Sequence, residues 1–343
     1  MMHFNYKDFF KAPRIAFNLQ TIWANGIGLL AGYAIYLILT YLSLLIDGQG
    51  FSDTRTTFGL LPCGFAGPTG WIARFVASTG IAAFLAIFLF TNTAVCRMSA
   101  MALRRELLYS WKEAYGFAFR RWLSALGAML IFFFMIAFFS IGALLIGLVG
   151  RLPVFGELGV FLLTIPHFLI TILLIFILFV TTAGLFLVPA VIAVSDDDAL
   201  GGVFQSFNLT FNQPVRFISY SLLTTLLQFS GMILLALLIK AAFLTFGKLL
   251  LTGMGSKFGN ISDHGFYLLD KSLPVLKDWL QYLFHDFSDW IYLSHSHFPG
   301  NLPLSQEIAA YIFMLSLLII GGAVIAYGEA IRNSGMTLIY IIL

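Results

Sequence analysis

Residues 122–149 read WLSALGAMLIFFFMIAFFSIGALLIGLV, and no charged residue interrupts them. A bilayer's hydrocarbon core is about 30 Å thick, so a helix rising about 1.5 Å per residue needs roughly 20 apolar residues to cross it. This stretch meets that requirement with residues to spare. Working outward, five more runs of the same kind follow, at 21–46, 71–95, 158–194, 215–246 and 307–331. The run at 158–194 is overlong: either it tilts strongly or Pro189 ends its membrane part early.

Composition points the same way. Of 343 residues, 60% are apolar and 10% charged, where a soluble domain keeps roughly 25% charged to face water. The mean hydropathy is +0.93. The expected fold class is all-α: a polytopic transmembrane helical bundle of about six spans, forming a single integral membrane domain over 1–343. The first run, Ile22 to Ile46, is too long for the h-region of a cleavable signal and lacks a small-residue cleavage site. Cys63 and Cys96 bracket the second span at opposite ends. A separation of about 30 Å is far beyond the reach of a disulfide, so none is expected between them.

Orientation follows from the basic residues. With the N-terminus inside, the inner segments carry Lys7, Lys11, Arg14, Arg97, Arg104, Arg105, Lys112, Arg120, Arg121, Arg216 and Arg332. The outer segments carry Arg55, Arg74, Arg151, Lys248, Lys257, Lys271 and Lys277, four of them in one long loop. Lys240 lies near a span end and is assigned to neither side. The bias places both termini in the cytoplasm.

The inner connections hold a repeated pattern. Ser110-Trp-Lys-Glu113 is a capping box, in which the serine oxygen and the glutamate carboxylate each satisfy a helix-start N–H. After it, Trp111, Ala114, Tyr115, Ala118 and Trp122 share one helical face. Leu200, Val203, Phe204, Phe207 and Phe211 repeat those offsets after the acidic run Asp196–Asp198, which suits a helix N-terminus. A unit of span, amphipathic helix, span therefore occurs twice, at 71–149 and 158–246. A third, split copy would combine Tyr6, Phe9, Phe10 and Phe17 with the first and last spans.

The extracytoplasmic loop, 247–306, is the one large segment outside the spans. Leu273, Leu276, Leu280, Leu283, Phe284, Phe287 and Ile291 form a helical apolar stripe, which reads as a surface-lying helix on lipid or under a partner. Trp279, Phe284, Phe287 and Trp290 are its candidate partner-docking residues. Sixty residues or so are too few for an independent enzyme domain.

The stretch from Leu187-Val-Pro-Ala-Val191 through Asp196–Asp198 and ALGGVFQSFNLTFN to Pro214 is similar to a pattern in a loose group of bacterial six-span proteins. That pattern is a proline-containing span end, acidic residues, an amphipathic helix and the next span. The group includes the membrane domain fused to some glycerophosphodiester phosphodiesterases, and Arg104–Trp122 resembles the first-half version of the unit. The resemblance implies architecture and a bacterial cytoplasmic membrane. It implies no activity, since the fused enzymes keep their catalytic acids and metal ligands in a separate soluble domain. The long outer loop departs from the compact connections of that group.

Candidate chemistry is sparse. Ionisable residues within spans mark transport paths, but no chain of Asp, Glu or His crosses the bilayer here. His167 reads as a snorkelling or carbonyl-bonded histidine and Lys240 as a snorkelling cation. Glu329 and Arg332 read as a local i, i+3 ion pair. His264, His285, His295 and His297, with acids nearby, could ligate zinc, but their spacing specifies no site. No CxxCH, P-loop, GxSxG, HExxH or pair of catalytic carboxylates occurs in a convincing context, so no cofactor and no catalytic residue is expected. Arg104, Arg105, Arg120 and Arg121 surround the first inner amphipathic helix. They are candidates for anionic lipid headgroups, with ordinary positive-inside anchoring as the simpler reading. Asp196–Asp198 can pair with one of these arginines or cap a helix, and capping is the simpler expectation. Gly28 and Gly32 form a GxxxG that intrachain packing explains more readily than dimerisation.

The sequence thus favours a non-catalytic membrane protein, an accessory or scaffold subunit of a larger assembly. Its expected partners are membrane lipids and, through the 247–306 loop, other subunits, but no nucleic acid. The alternative is a transporter or binder of lipids or other amphiphiles.

Overall fold

The computed structural model describes residues 6–63, 67–106, 109–153, 155–274 and 302–343. A 3-10 segment, Tyr6–Lys11, leads into α1 (Ala12–Ala16), α2 (Leu19–Ile46), α3 (Phe51–Phe58), α4 (Trp71–Leu103), α5 (Trp111–Arg120) and α6 (Trp122–Val149). Then come α7 (Phe155–Leu162), α8 (Thr164–Ser195), α9 (Ala199–Asn212), α10 (Pro214–Met254), α11 (Ser256–Ser272) and α12 (Leu304–Ile342). No strand occurs among the described residues. Six of these helices, α2, α4, α6, α8, α10 and α12, are long and apolar enough to cross a membrane. The chain is an all-α, multi-pass membrane protein.

Several boundaries differ from the sequence reading, α4 running on to Leu103 and α10 to Met254, and three of the differences have a plain physical reason. The run at 158–194 is two helices, broken at Leu163; hydropathy is blind to a backbone break between apolar residues. Pro189 does not end α8, which continues to Ser195. The residues around it, Leu187 to Ala193, are all buried, so neighbouring helices hold the backbone where the proline withholds an N–H. Finally, α12 continues past residue 331 to Ile342. Asn333 and Ser334 look like an exit to water, yet they are 1% and 0% exposed.

The chain divides into two compact units. The termini-bearing unit comprises residues 1–25, 89–228 and 329–343, and the loop-bearing unit comprises 26–88 and 229–328.

In the termini-bearing unit, the short helices α5 and α9 are packed into the bundle. The α5 capping box forms as expected: Ser110 accepts from the Glu113 N–H at 3.3 Å, and Glu113 accepts from the Ser110 N–H at 2.9 Å. Ala114 and Ala118 bury against Ala24, Ala94, Val95 and Met98, with Trp111 and Tyr115 alongside. The Tyr115 hydroxyl donates to the Ala24 carbonyl at 2.7 Å. A second core joins Phe117, Ala125, Ala128 and Phe132 to Val180, Val188, Ile192 and Val203. Gly184 lets the Phe132 ring close on α8, where a Cβ would collide with it.

The face that α9 buries is not the one its apolar residues suggest. Gly202, Val203, Ser206, Leu209 and Thr210 point inward, whereas Leu200, Phe204 and Phe211 are 54%, 69% and 72% exposed. Small inward residues allow close approach, which drives packing where lipid is as apolar as leucine. Phe204 and Phe211 take the lipid-facing role instead, while Phe207 packs beside Phe132 on the core.

In the loop-bearing unit, α2 and α4 pack closely. Gly32 abuts Phe84 and Ile87, and Gly80 abuts Leu39, so Gly32 of the GxxxG serves intrachain packing. The connection between them is tied down by polar contacts. Tyr36 and Tyr41 donate to the carbonyls of Pro62 and Gly59, and the Leu60 N–H donates to the Ser272 carbonyl at 2.7 Å. Helix α11, unanticipated in the sequence, buries Phe266 in an aromatic triad with Phe243 and Phe313 at centroid distances of 5.7–5.9 Å.

Asp47 caps the start of α4 from the end of α2. Its carboxylate accepts from the Thr69 and Gly70 N–H groups at 2.9 and 2.7 Å and from the Thr69 hydroxyl at 3.0 Å. The Thr69 N–H, then that of Gly70, hold its carboxyl below the usual carboxylate range. A depressed acid contributes stability that is fully present above its unfolded pKa and is lost as pH falls through the folded value. Protection of the Thr69 and Gly70 amides from hydrogen exchange, corrected for intrinsic rate, should hold down to about pH 4 and fade below it. Asp47→Ala should abolish it at neutral pH, and equal protection in variant and parent would refute the clasp.

Candidate functional site

Two polar constellations stand out in the termini-bearing unit. The first is an arginine clasp on the C-terminus of α8. Helix ends leave carbonyls without partners and carry partial negative charge. Asp196 closes the helix in a left-handed conformation, φ 62°, with its N–H on the Ile192 carbonyl. Arg97 donates to the Ala193 carbonyl at 2.7 Å and Arg104 to that of Val194 at 3.4 Å. Arg121 pairs with the Asp196 carboxylate at 2.8 Å. The Arg97 guanidinium also lies 4.4 Å from the centroid of the Phe117 ring. Two residues on, Asp198 caps α9 by accepting from the Gly201 N–H at 2.8 Å. The acidic run therefore does both of the things open to it: Asp198 caps and Asp196 pairs.

The Asp196 carboxylate raises the Arg121 guanidinium above its ordinary pKa. The pair is partly exposed, 35% and 53% at the side chains, so solvent screening limits its worth to about 0–1 kcal/mol. Arg121→Gln should lower stability by no more than that in a denaturant titration. A larger loss would mean the clasp carries more of the fold than this pair.

The second constellation is a polar knot inside the spans, formed by α4, α10 and α12. The Asn333 amide donates to Asn92 at 3.0 Å, and its backbone carbonyl accepts from the Thr337 hydroxyl at 2.8 Å and from the Cys96 thiol at 3.6 Å. Ser99 and Ser334 share a hydrogen bond at 2.9 Å. Glu329 and Arg332 form the expected ion pair, each 14% exposed, and Gln228 donates to Glu329 at 3.4 Å. The Arg332 guanidinium lies 4.2 Å from the centroid of the Phe186 ring on α8. At Gly335, a Cβ would collide with Thr224, so α10 and α12 touch closely there.

The sequence anticipated only Glu329 and Arg332 of this knot. Asn92, Gln228, Asn333 and Ser334 were missed. The available signal was an amide inside an apolar span, which is costly unless bonded to another helix.

The four arginines around α5 do not act as one set. Arg104 and Arg121 join the clasp, while Arg105, at φ 67°, and Arg120 are exposed. Trp279, Phe284, Phe287 and Trp290 lie outside the described residues, as do His285, His295 and His297. His264 is buried on α11, its ring stacked on Tyr267 with centroids 6.0 Å apart. Among the described residues, no three His, Cys, Asp or Glu side chains gather as a metal site. Cys63 and Cys96 are free thiols, the first exposed and the second buried.

Fold and polar knot together define a class, a multi-pass helical membrane protein with hydrogen-bonded amides and an ion pair inside its spans. The chain matches no protein-family model, no curated protein and no solved structure.

Proposed function

We propose that this protein is a non-catalytic accessory or scaffold subunit of a larger membrane assembly. The observation that carries the reading is the polar knot. Its side chains bind helix to helix: Asn92 to Asn333, Ser99 to Ser334 and Gln228 to Glu329. Interhelical hydrogen bonds of this kind hold a bundle in one arrangement, which suits a frame more than a moving carrier. The two span–helix–span units, 71–149 and 158–246, are read as an internal repeat. Both place a capped short helix between two spans and pack it inward. The loop 247–306 is the proposed docking segment. By basic-residue bias the termini face the cytoplasm, and by resemblance to the six-span group the membrane is a bacterial cytoplasmic one.

Native mass spectrometry of protein released gently from its own membrane tests this. Stoichiometric protein partners are expected. A solitary chain would overturn the reading and leave the alternative, handling of lipids or other amphiphiles.

A further inference from the structure

We propose that α5 and the turn before it bind anionic phospholipid headgroups through Arg105, Lys112 and Arg120. The inference goes beyond the scaffold reading and does not depend on it.

The clasp sorts the cations of this stretch. Arg97, Arg104 and Arg121 are directed at the end of α8. Arg105, Lys112 and Arg120 are exposed and lie off the buried face, which is Ala114, Phe117 and Ala118, with the Lys112 ammonium 5.7 Å from the centroid of the Trp111 ring. The neighbouring acids only partly offset them. The exposed carboxylates are Glu106 beside Arg105 and Glu113 in the capping box, two charges against three.

Position along the fold supplies the second argument. Two residues after Arg120, α6 begins at Trp122, and it exposes Leu123, Leu130, Phe133 and Phe134. A wall of bulky apolar residues in a membrane protein faces acyl chains. Arg120 therefore sits where that wall starts, at headgroup height, with Phe119 70% exposed beside it. Helix α9 provides the internal comparison. It is also a short helix packed between spans, yet residues 199–212 contain no Lys or Arg, and its outer face is Leu200, Phe204 and Phe211. A short helix at this place in the fold does not require surface cations. The cations of α5 instead complement an anionic leaflet, where each basic residue gains a favourable increment.

The test uses the full chain in mild detergent, equilibrated with equimolar phosphatidylglycerol and phosphatidylcholine, with retained lipids counted by native mass spectrometry. The parent should retain phosphatidylglycerol preferentially. Arg105→Gln, Lys112→Gln and Arg120→Gln should each reduce that preference about fivefold, and their combination should remove it. Arg121→Gln should keep it, as should the charge-conserving pair Arg105→Lys and Arg120→Lys. A triple variant that keeps the preference overturns the proposal. So does a parent with no preference, or an Arg121→Gln variant that loses it equally.

Discussion

Arg332→Ala should destabilise the protein by about 3–5 kcal/mol, the usual effect of stripping a buried ion of its partner. Glu329 and Arg332 are each 14% exposed and lie in a helix apolar enough to cross the membrane. Removing the guanidinium leaves Glu329 against the Gln228 amide of α10 and deprives Phe186 of the cation over its ring. Glu329→Ala should be comparably harmful, since it leaves the arginine charge buried. The double variant Glu329→Leu with Arg332→Leu should recover much of the loss, because apolar side chains of similar bulk can replace a buried pair at little cost. Reversible denaturation in mixed micelles would measure all three. Single variants that unfold with the parent would mean both charges reach water.

Gly59→Val should be the most damaging change in the loop-bearing unit. Gly59 has φ 57° and ψ −127°, a region that is almost exclusively glycine's, and a Cβ there would strike the Ser272 carbonyl and Pro274. The backbone strain alone amounts to about 1–3 kcal/mol. The collision adds to it, because neither backbone can retreat without breaking the Leu60–Ser272 hydrogen bond. Gly48 makes the control: its φ is 85°, but among the described residues nothing lies within 4 Å of where a Cβ would stand. Gly48→Val should therefore show strain without collision. Thermal midpoints should fall in the order parent, Gly48→Val, Gly59→Val, and equal midpoints for the two variants would refute the collision.

Span positions were legible because an apolar run long enough to cross a membrane has few other uses. The Ser110 capping box and the Glu329–Arg332 pair were legible because both are local, set by spacings of three residues. What failed was reading which way a face points. On α9 the apolar stripe was read as a single amphipathic face; instead Leu200, Phe204 and Phe211 face out, Val203 and Phe207 pack on the core, and Gly202, Ser206 and Thr210 face in. The same inversion hid the continuation of α12, since Arg332, Asn333 and Ser334 signalled an exit and are instead the knot. Helix α11 was passed over because its apolar residues, Phe258, Ile261 and Leu268 among them, are diluted by charges in a segment read as loop.

The division of the chain also sets an order of events during biosynthesis. The termini-bearing unit takes its last piece, residues 329–343, only after the intervening 229–328 have been made. At translation rates of 5–20 residues per second that interval is about 5–20 s. Throughout it, Asn92, Cys96, Ser99 and Gln228 are already in a nascent chain without the helix that will bond them. Polar side chains left waiting in a bilayer invite provisional partners, whether water, a lipid carbonyl or an insertion factor. The knot therefore closes late, and a ribosome stalled before residue 329 would leave the first five spans inserted but the amides of α4 still held by something other than this protein.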